Sequence, residues 1–357
     1  MPAILTEMPD NPRTWDSDES IETYLSKRNI HCDKATSLQG GCSGYIWRLD
    51  GYRNGRKTYD RCIFKYADTE LKGKPDFKTE PGRTHNEVRA LSSEAVRLAS
   101  EREPGVRVPA VLQTTDEGFV MTWGGEKDLK DAFINDKELD SIALASRLGR
   151  WLAGLHLSSV HSEEAKGWKN VLMEKINPYE ANILRTGFQD RGIDANITER
   201  AVAMMQDPGP VQVLTSGDFR PMNTLLDYSS STSHPIATVV DWECMQYACP
   251  SIDFRLWPAE MLVQEKKYPH TKGILAAFLK AYRDEAGADF VTEELVCKVA
   301  VKVGSIMFWV MPLHVWDVTE EEEGEEWRKV AIEYICAGAK GDVEWLEKSA
   351  LGPLLGS

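Results

Sequence analysis

The sequence predicts a mixed α+β chain in two parts, a smaller β-rich N-terminal one and a larger, mainly helical one. Three observations lead there. Short apolar stretches bounded by turn residues fill the first third, "GGEKD" at 124–128 punctuates the chain, and longer apolar stripes of helical period follow it. The division expected is 1–123 and 124–357, and a cleft between two such lobes is a natural ligand site.

In chain order, "GCSGYIWRLDGY" and "YDRCIFKYAD" read as strands around the turn-rich "GYRNGRK". "RTHNEVRALSSEAVRLAS" places Val88, Leu91, Ala95 and Leu98 on one helical stripe, which predicts one long helix. "VRVPAVLQTTDEGFVMTW" reads as two further strands around "TTDEG". Beyond the punctuation, Ile142, Ala145, Leu148, Leu152 and Leu155 form the apolar face of a helix. A β pair follows, "NTLLDY" and "IATVVDW", joined by "SSSTSHP", and from Ser251 onward the pattern is helical. The acidic run "TEEEEGEE", 319–326, is expected to be a solvated helix start or loop.

Composition narrows the function classes. The 357 residues are 42% hydrophobic and 27% charged, ordinary for a globular protein with an ample core. The net charge of −14 leaves no basic stripe for nucleic acid and favours solubility, with attraction of a cationic small substrate as a further consequence. Seven scattered cysteines, an odd number without a CxxC pair, suggest no disulfide framework and a reducing, cytoplasmic setting. No signal peptide is expected from the opening residues. The uncharged stretch Val303 to Trp316 holds 14 residues and a proline, short of the roughly 20 a membrane span needs.

One short stretch carries the chemistry. "VLTSGDFRPMNTLLD" sets Asp218 five residues before Asn223 in a polar, Gly/Pro-broken segment between apolar runs. It reads either as a surface turn or as a catalytic loop, the aspartate receiving a proton and the asparagine holding a metal ion. Phosphoryl transfer from ATP needs a cation on the phosphates, oxygen ligands for Mg2+, and a group for the acceptor hydroxyl's proton. Lys65 in a strand, Glu87 on a helix, Asp218, Asn223, and Asp241 in "VVDWE" supply such types in a workable order. Singly, each has a plainer reading: a snorkelling lysine, a solvated glutamate, a turn aspartate. Together they favour the catalytic one.

The pair "SGDFRPMNTLL" and "VVDWE" resembles the signature of the aminoglycoside phosphotransferase and choline kinase family, H-G-D-x-x-x-x-N followed by I-D-W/F-E. "CIFKYAD" is similar to that family's phosphate-binding lysine strand, "HNEVRAL" to its glutamate helix, "LGRWLAGLH" to the helix before the catalytic loop, and "PSIDFRLW" to its P-x-x-D-L. The segments "MFWVMPLHVWDVTEEEE" and "DWECMQYACPSIDF" look nearest to fungal small-molecule kinases such as hydroxytryptamine kinase. The resemblance implies a bilobal protein-kinase-like fold and an ATP- and Mg2+-dependent kinase acting on a small-molecule hydroxyl. It implies Asp218 as the base, Asn223 and Asp241 as magnesium ligands, Lys65 on the phosphates with Glu87 holding it, and Asp253 bracing the loop, where a simple helix cap is the alternative. Met121 to Trp123 falls on the lobe-joining segment, expected to meet the adenine edge.

The chain departs from the family at two places. The histidine two residues before the base is Ser216, which bears on loop packing. "LQGGCSGYIW" does not match G-x-G-x-x-G; its Gly41, Ser43 and Gly44 either close over the nucleotide or form a plain β turn. No Walker A sequence is present, which excludes the P-loop class. Arg220 either reaches the transferring phosphoryl group or pairs with a surface carboxylate. Trp309, Trp316 and Asp317 are the residues proposed for a cationic, amine-bearing acceptor, core packing being the alternative for both tryptophans. His156, on an apolar helix, reads as a core histidine. The rival functions are a nucleotide-binding pseudokinase and a protein kinase; the short stretch after Asp241 leaves little room for an activation segment.

Overall fold

The structure, a computed structural model, describes residues 20–38, 44–67, 70–71, 74–78, 83–229, 231–310 and 318–356. It combines a β-sheet N-terminal region with a helical C-terminal region and divides into two compact units. One comprises Met1–Ser92 and Val108–Gly124, the other Ser93–Arg107 and Gly125–Ser357. Residues 93–107 therefore join the C-terminal unit, which differs from a single division at 123/124.

The first unit opens with α1 (Ile21–Lys27), followed by β1 (Lys34–Ser37), β2 (Tyr45–Asn54), β3 (Lys57–Tyr66), β4 (Glu70–Leu71), β5 (Lys74–Lys78) and α2 (Arg83–Leu91). The chain then leaves for the other unit through α3 (Glu94–Arg102) and β6 (Val106–Arg107), and returns as β7 (Val111–Thr114) and β8 (Gly118–Thr122). Among the described residues the main sheet runs β1-β2-β3-β8-β7, antiparallel throughout. Strand alternation places Cys62 and Phe64 of β3 in a core with Tyr24, Leu25, Trp47, Leu49, Tyr52 and Val120. Ile63 and Lys65 thereby fall on the opposite face, and both are buried.

The single helix expected over 83–100 is two. Ser93 has extended backbone, and its side chain accepts from the Val96 N–H at 3.4 Å, starting α3 afresh. A serine finds its best helical place at such an N-cap, so the Ser92–Ser93 pair breaks the stripe. The new helix packs on α5 of the second unit, and β6 pairs in parallel with β12 there (ranges below).

In the second unit β9 (Lys127–Asp128) leads into α4 (Leu129–Asn135) and α5 (Ser141–Ser159), then α6 (Val171–Asp190) and α7 (Ala195–Gln206). The strands β10 (Val213–Thr215), β11 (Thr224–Asp227), β12 (Ile236–Val239) and β13 (Gln246–Ala248) follow, and α8 (Leu256–Lys267), α9 (Ile274–Ala286), α10 (Glu293–Val310), α11 (Glu321–Lys340) and α12 (Val343–Lys348) complete the unit. The expected β pair, β11 and β12, sits inside a larger sheet of order β6-β12-β11-β9; β10 pairs separately with β13. On α5, Ala145, Leu148, Leu152 and Leu155 are fully buried, whereas Ile142, placed on the same face by period alone, is 46% exposed. It lies in the first turn of α5, beside the Asp140 that caps the helix. Gly149 lets α5 lie against α9, because a Cβ there would come within 2.3 Å of the Phe278 carbonyl oxygen. The acidic run begins α11, where carboxylates suit the positive end of the helix dipole.

Candidate active site

In the first unit Lys65 Nζ lies 2.7 Å from Glu87 Oε2, with the two side chains 5% and 1% exposed. The cause is strand parity: Phe64 takes the core side of β3, so Lys65 points to the other face, where α2 presents Glu87. Met121 of β8 stands across from Ile63, and Phe119 across from Lys65. Trp123, just past β8, is half-buried, with Arg61 5.1 Å above its ring. Gly44 is buried at the start of β2, where a Cβ would come within 2.8 Å of the Tyr66 carbonyl oxygen. Close strand packing therefore already accounts for that glycine. Gly41 and Ser43 lie outside the described residues.

In the second unit the loop after β10 closes on itself. Asn223 Nδ2 donates to the Asp218 backbone carbonyl at 3.0 Å and to its carboxylate at 2.8 Å, and the Asn223 N–H returns to the Arg220 carbonyl. The Val240 N–H donates to the Asn223 carbonyl at 2.9 Å, which seats the next residue, Asp241, beside the loop. Asp241 has φ of 64°, a left-handed conformation that aspartate tolerates better than most side chains. Gly217 has φ of 78°, and a Cβ there would come 2.2 Å from the Cys244 carbonyl oxygen, so the residue before Asp218 has two reasons to be glycine. Burial lifts the Asp218 carboxyl above the usual carboxylate range; the Arg220 charge opposes this, the Asp241 charge adds to it, and Arg255 and the Asn223 hydrogen bond oppose it.

Behind the loop lies a buried polar network. Asp253 Oδ1 accepts from the Gly217 N–H at 2.8 Å and the Ser216 hydroxyl at 3.3 Å, while Oδ2 accepts from the Ser216 N–H at 3.1 Å. His156 Nε2 is also 3.1 Å from Oδ2, and its Nδ1 is 2.7 Å from the Tyr282 hydroxyl. A neutral imidazole carrying its proton on Nε2 satisfies both contacts, donating to Asp253 and accepting from Tyr282. Arg255 donates to the Gly217 carbonyl at 3.2 Å and pairs with Glu180 at 3.3 Å. The loop backbone is thus held on both its donor and acceptor sides.

A model of the phosphotransferase enzyme family (APH) matches residues 70–292. The chain belongs to this family. Its fold is similar to the gentamicin complex of APH(2'')-IIa, with a TM-score of 0.50 at 13% identity over 89% of this chain and 96% of that one. Macrolide 2'-phosphotransferase MphH from Brachybacterium faecium gives 0.48 at 15% identity, over 89% and 97%. Choline kinase from Cryptosporidium parvum Iowa II gives 0.47 at 11% identity, over 91% and 92%. No curated protein sequence matches the chain.

Within this phosphotransferase the structure separates the residues singled out in the sequence. Lys65 and Glu87 meet in one unit; Ser216, Asp218, Asn223, Asp241 and Asp253 meet in the other. Asp253 precedes α8 without capping it; its four donors come from the loop and from α5. Arg220 pairs with a carboxylate, but a buried one in place of the surface one expected: its guanidinium lies 2.6 Å from Glu260 of α8, which is only 2% exposed. Trp309 is half-buried on α10, and Trp316 and Asp317 lie outside the described residues. The residues missed were His156 as a loop partner, Tyr282, Arg255, Glu180 and Glu260. Arg255, two residues past Asp253 in "PSIDFRLW", carried a signal in being charged within an apolar segment; the others were indistinguishable from helix-surface or core residues.

Proposed function

We propose that the chain transfers the γ-phosphoryl group of ATP to a hydroxyl of a small molecule, with Asp218 receiving the hydroxyl's proton. The observation that carries this reading is the closed Asp218–Asn223 loop with Asp241 seated beside it. A general base must be held against rotation and kept partly desolvated, and the Asn223 hydrogen bonds together with burial do both for Asp218.

The residues fit magnesium. Asn223 spends its amide N–H groups on Asp218, leaving its amide oxygen as the ligand atom, and Asp241 adds a carboxylate. One or two such oxygens, with the remainder from water and phosphates, are what Mg2+ takes from a protein. Among the described residues no group of three or more His, Cys, Asp or Glu could hold a metal by itself. Bound there, the ion would neutralise charge on the phosphate oxygens. Lys65, oriented by Glu87, would hold the α- and β-phosphates, and the segment Met121 to Trp123 would meet the adenine edge.

The net charge of −14 draws cations to the chain as a whole and does not by itself assign an amine to the acceptor. Near the loop, Glu260 is already engaged by Arg220. The test is Asp218→Asn in the full chain: turnover falls by about three orders of magnitude or more while Mg-ATP affinity stays within about twofold. Near-normal turnover in that variant rules the reading out.

A further inference from the structure

Four residues separate Asp218 from Asn223, and three of them are tied inward. Phe219 is 1% exposed and stacks between Trp151 and Trp257, with ring centroids 6.1 and 5.3 Å away. Arg220 turns to the buried carboxylate of Glu260. Pro221 is buried and starts the tight turn that returns Asn223 to Asp218. Met222 alone faces outward at 45% exposure, one of two large apolar side chains so exposed among the described residues. The other, Ile142, lies at a helix start remote in sequence from any residue of the site.

Isolated exposed apolar side chains are common and need no special cause. Met222 differs in its placement and in its support. The ring of hydrogen bonds that fixes Asp218 also fixes the backbone from which Met222 projects. Arg220 Nη2 lies 3.0 Å from its sulfur, and the charge of that guanidinium is matched by Glu260. Met222 thus sets a polarisable thioether, beside a compensated ion pair, on the exposed side of the turn that joins Asp218 to Asn223, a surface that suits an apolar or aromatic group and offers an ammonium group no charge of its own.

Building on the assignment of Asp218 as the base, we infer that Met222 is a specificity-determining residue and that the acceptor presents an apolar or aromatic face beside its reacting hydroxyl, not a cluster of ammonium groups.

The test is calorimetric titration of 2-phenylethanol, choline and kanamycin into the full chain saturated with Mg2+ and a non-hydrolysable ATP analogue. 2-Phenylethanol is expected to bind at least about tenfold more tightly than either cation. Met222→Ser should weaken it by about tenfold, the scale of losing a few methylenes from a contact, and Met222→Leu should restore it to within about twofold. Affinity for the ATP analogue should stay within about twofold in both variants, which distinguishes a lost contact from a distorted loop. Equal or tighter binding of choline or kanamycin, no measurable binding of 2-phenylethanol, or indifference to Met222→Ser overturns the inference. Because binding is read without turnover, a chain that binds in this order but transfers no phosphate overturns the phosphotransfer reading alone.

Discussion

His156 Nε2 lies 3.1 Å from the Asp253 carboxylate, and the same carboxylate holds the two backbone N–H groups before Asp218. A side chain on α5 thus acts on the catalytic loop through one intermediary. Replacing His156 by alanine strands the Tyr282 hydroxyl and removes a donor from a buried carboxylate, each costing about 1–3 kcal/mol. His156→Ala should lower the melting temperature and lower kcat, with the KM for ATP nearly unchanged. Tyr282→Phe, which spares the bond to Asp253, should keep most of kcat. Equal loss of kcat in the two variants would contradict this order of action.

The Arg220–Glu260 pair makes a stability prediction that a phosphate-contacting arginine would not. Glu260 is 2% exposed, so Arg220→Ala leaves a buried charge without its guanidinium, a loss of about 3–5 kcal/mol. The double variant Arg220→Ala with Glu260→Gln should recover a large part of it. Chemical denaturation of the four proteins gives the coupling directly, and additivity would show that the pair does not act as a unit.

Lys65 and Glu87 form a second buried pair, with a different consequence. Lys65→Met should raise the KM for ATP and lower kcat, and should also destabilise the first unit by leaving Glu87 charged and buried. Adding Glu87→Gln should restore stability without restoring activity. Recovery of activity in the double variant would remove Lys65 from the phosphate-binding role.

Asp218 links pH to both activity and stability. Its folded pKa lies above the unfolded one because burial penalises the charge. Relative to an unfolded carboxyl it therefore contributes stability at acid pH, fully present below the unfolded pKa and lost as pH rises through the folded pKa. Asp218→Asn should accordingly stabilise the fold at neutral pH, and this advantage should disappear as pH falls below about 4, the unfolded carboxylate value. In the wild type, kcat/KM should fall on the acid side at a pH above that value, as the base takes up a proton. Thermal melts of the two proteins across pH settle the sign; a variant that is less stable at neutral pH contradicts it.

Backbone strain at Gly217 supplies another test. With φ of 78° and the Cys244 carbonyl in the way, Gly217→Ala must move either the loop or the β12–β13 connection. A loss of stability above about 1 kcal/mol is expected, together with a large fall in kcat, because the displaced residue is the neighbour of Asp218. Wild-type kcat in this variant would mean that the loop geometry around Asp218 tolerates the shift.

The sequence by itself determined what is local. Strand alternation around Phe64 and Lys65, the helical stripe of Ala145, Leu148, Leu152 and Leu155, and the spacing of Asp218, Asn223 and Asp241 are all encoded within a few residues, because backbone period and turn chemistry act over that range. Tertiary structure decided the rest. The Ser93 cap divided a continuous stripe and sent α3 to pack on α5, and the close packing of α5 on α9 brought His156 to Tyr282. The positions of α8 and of the turn before it gave Arg220 a buried partner and Asp253 its four donors. A buried polar group takes its partner from whichever element packs against it, and that choice is made by the whole core, so no window of sequence contains it.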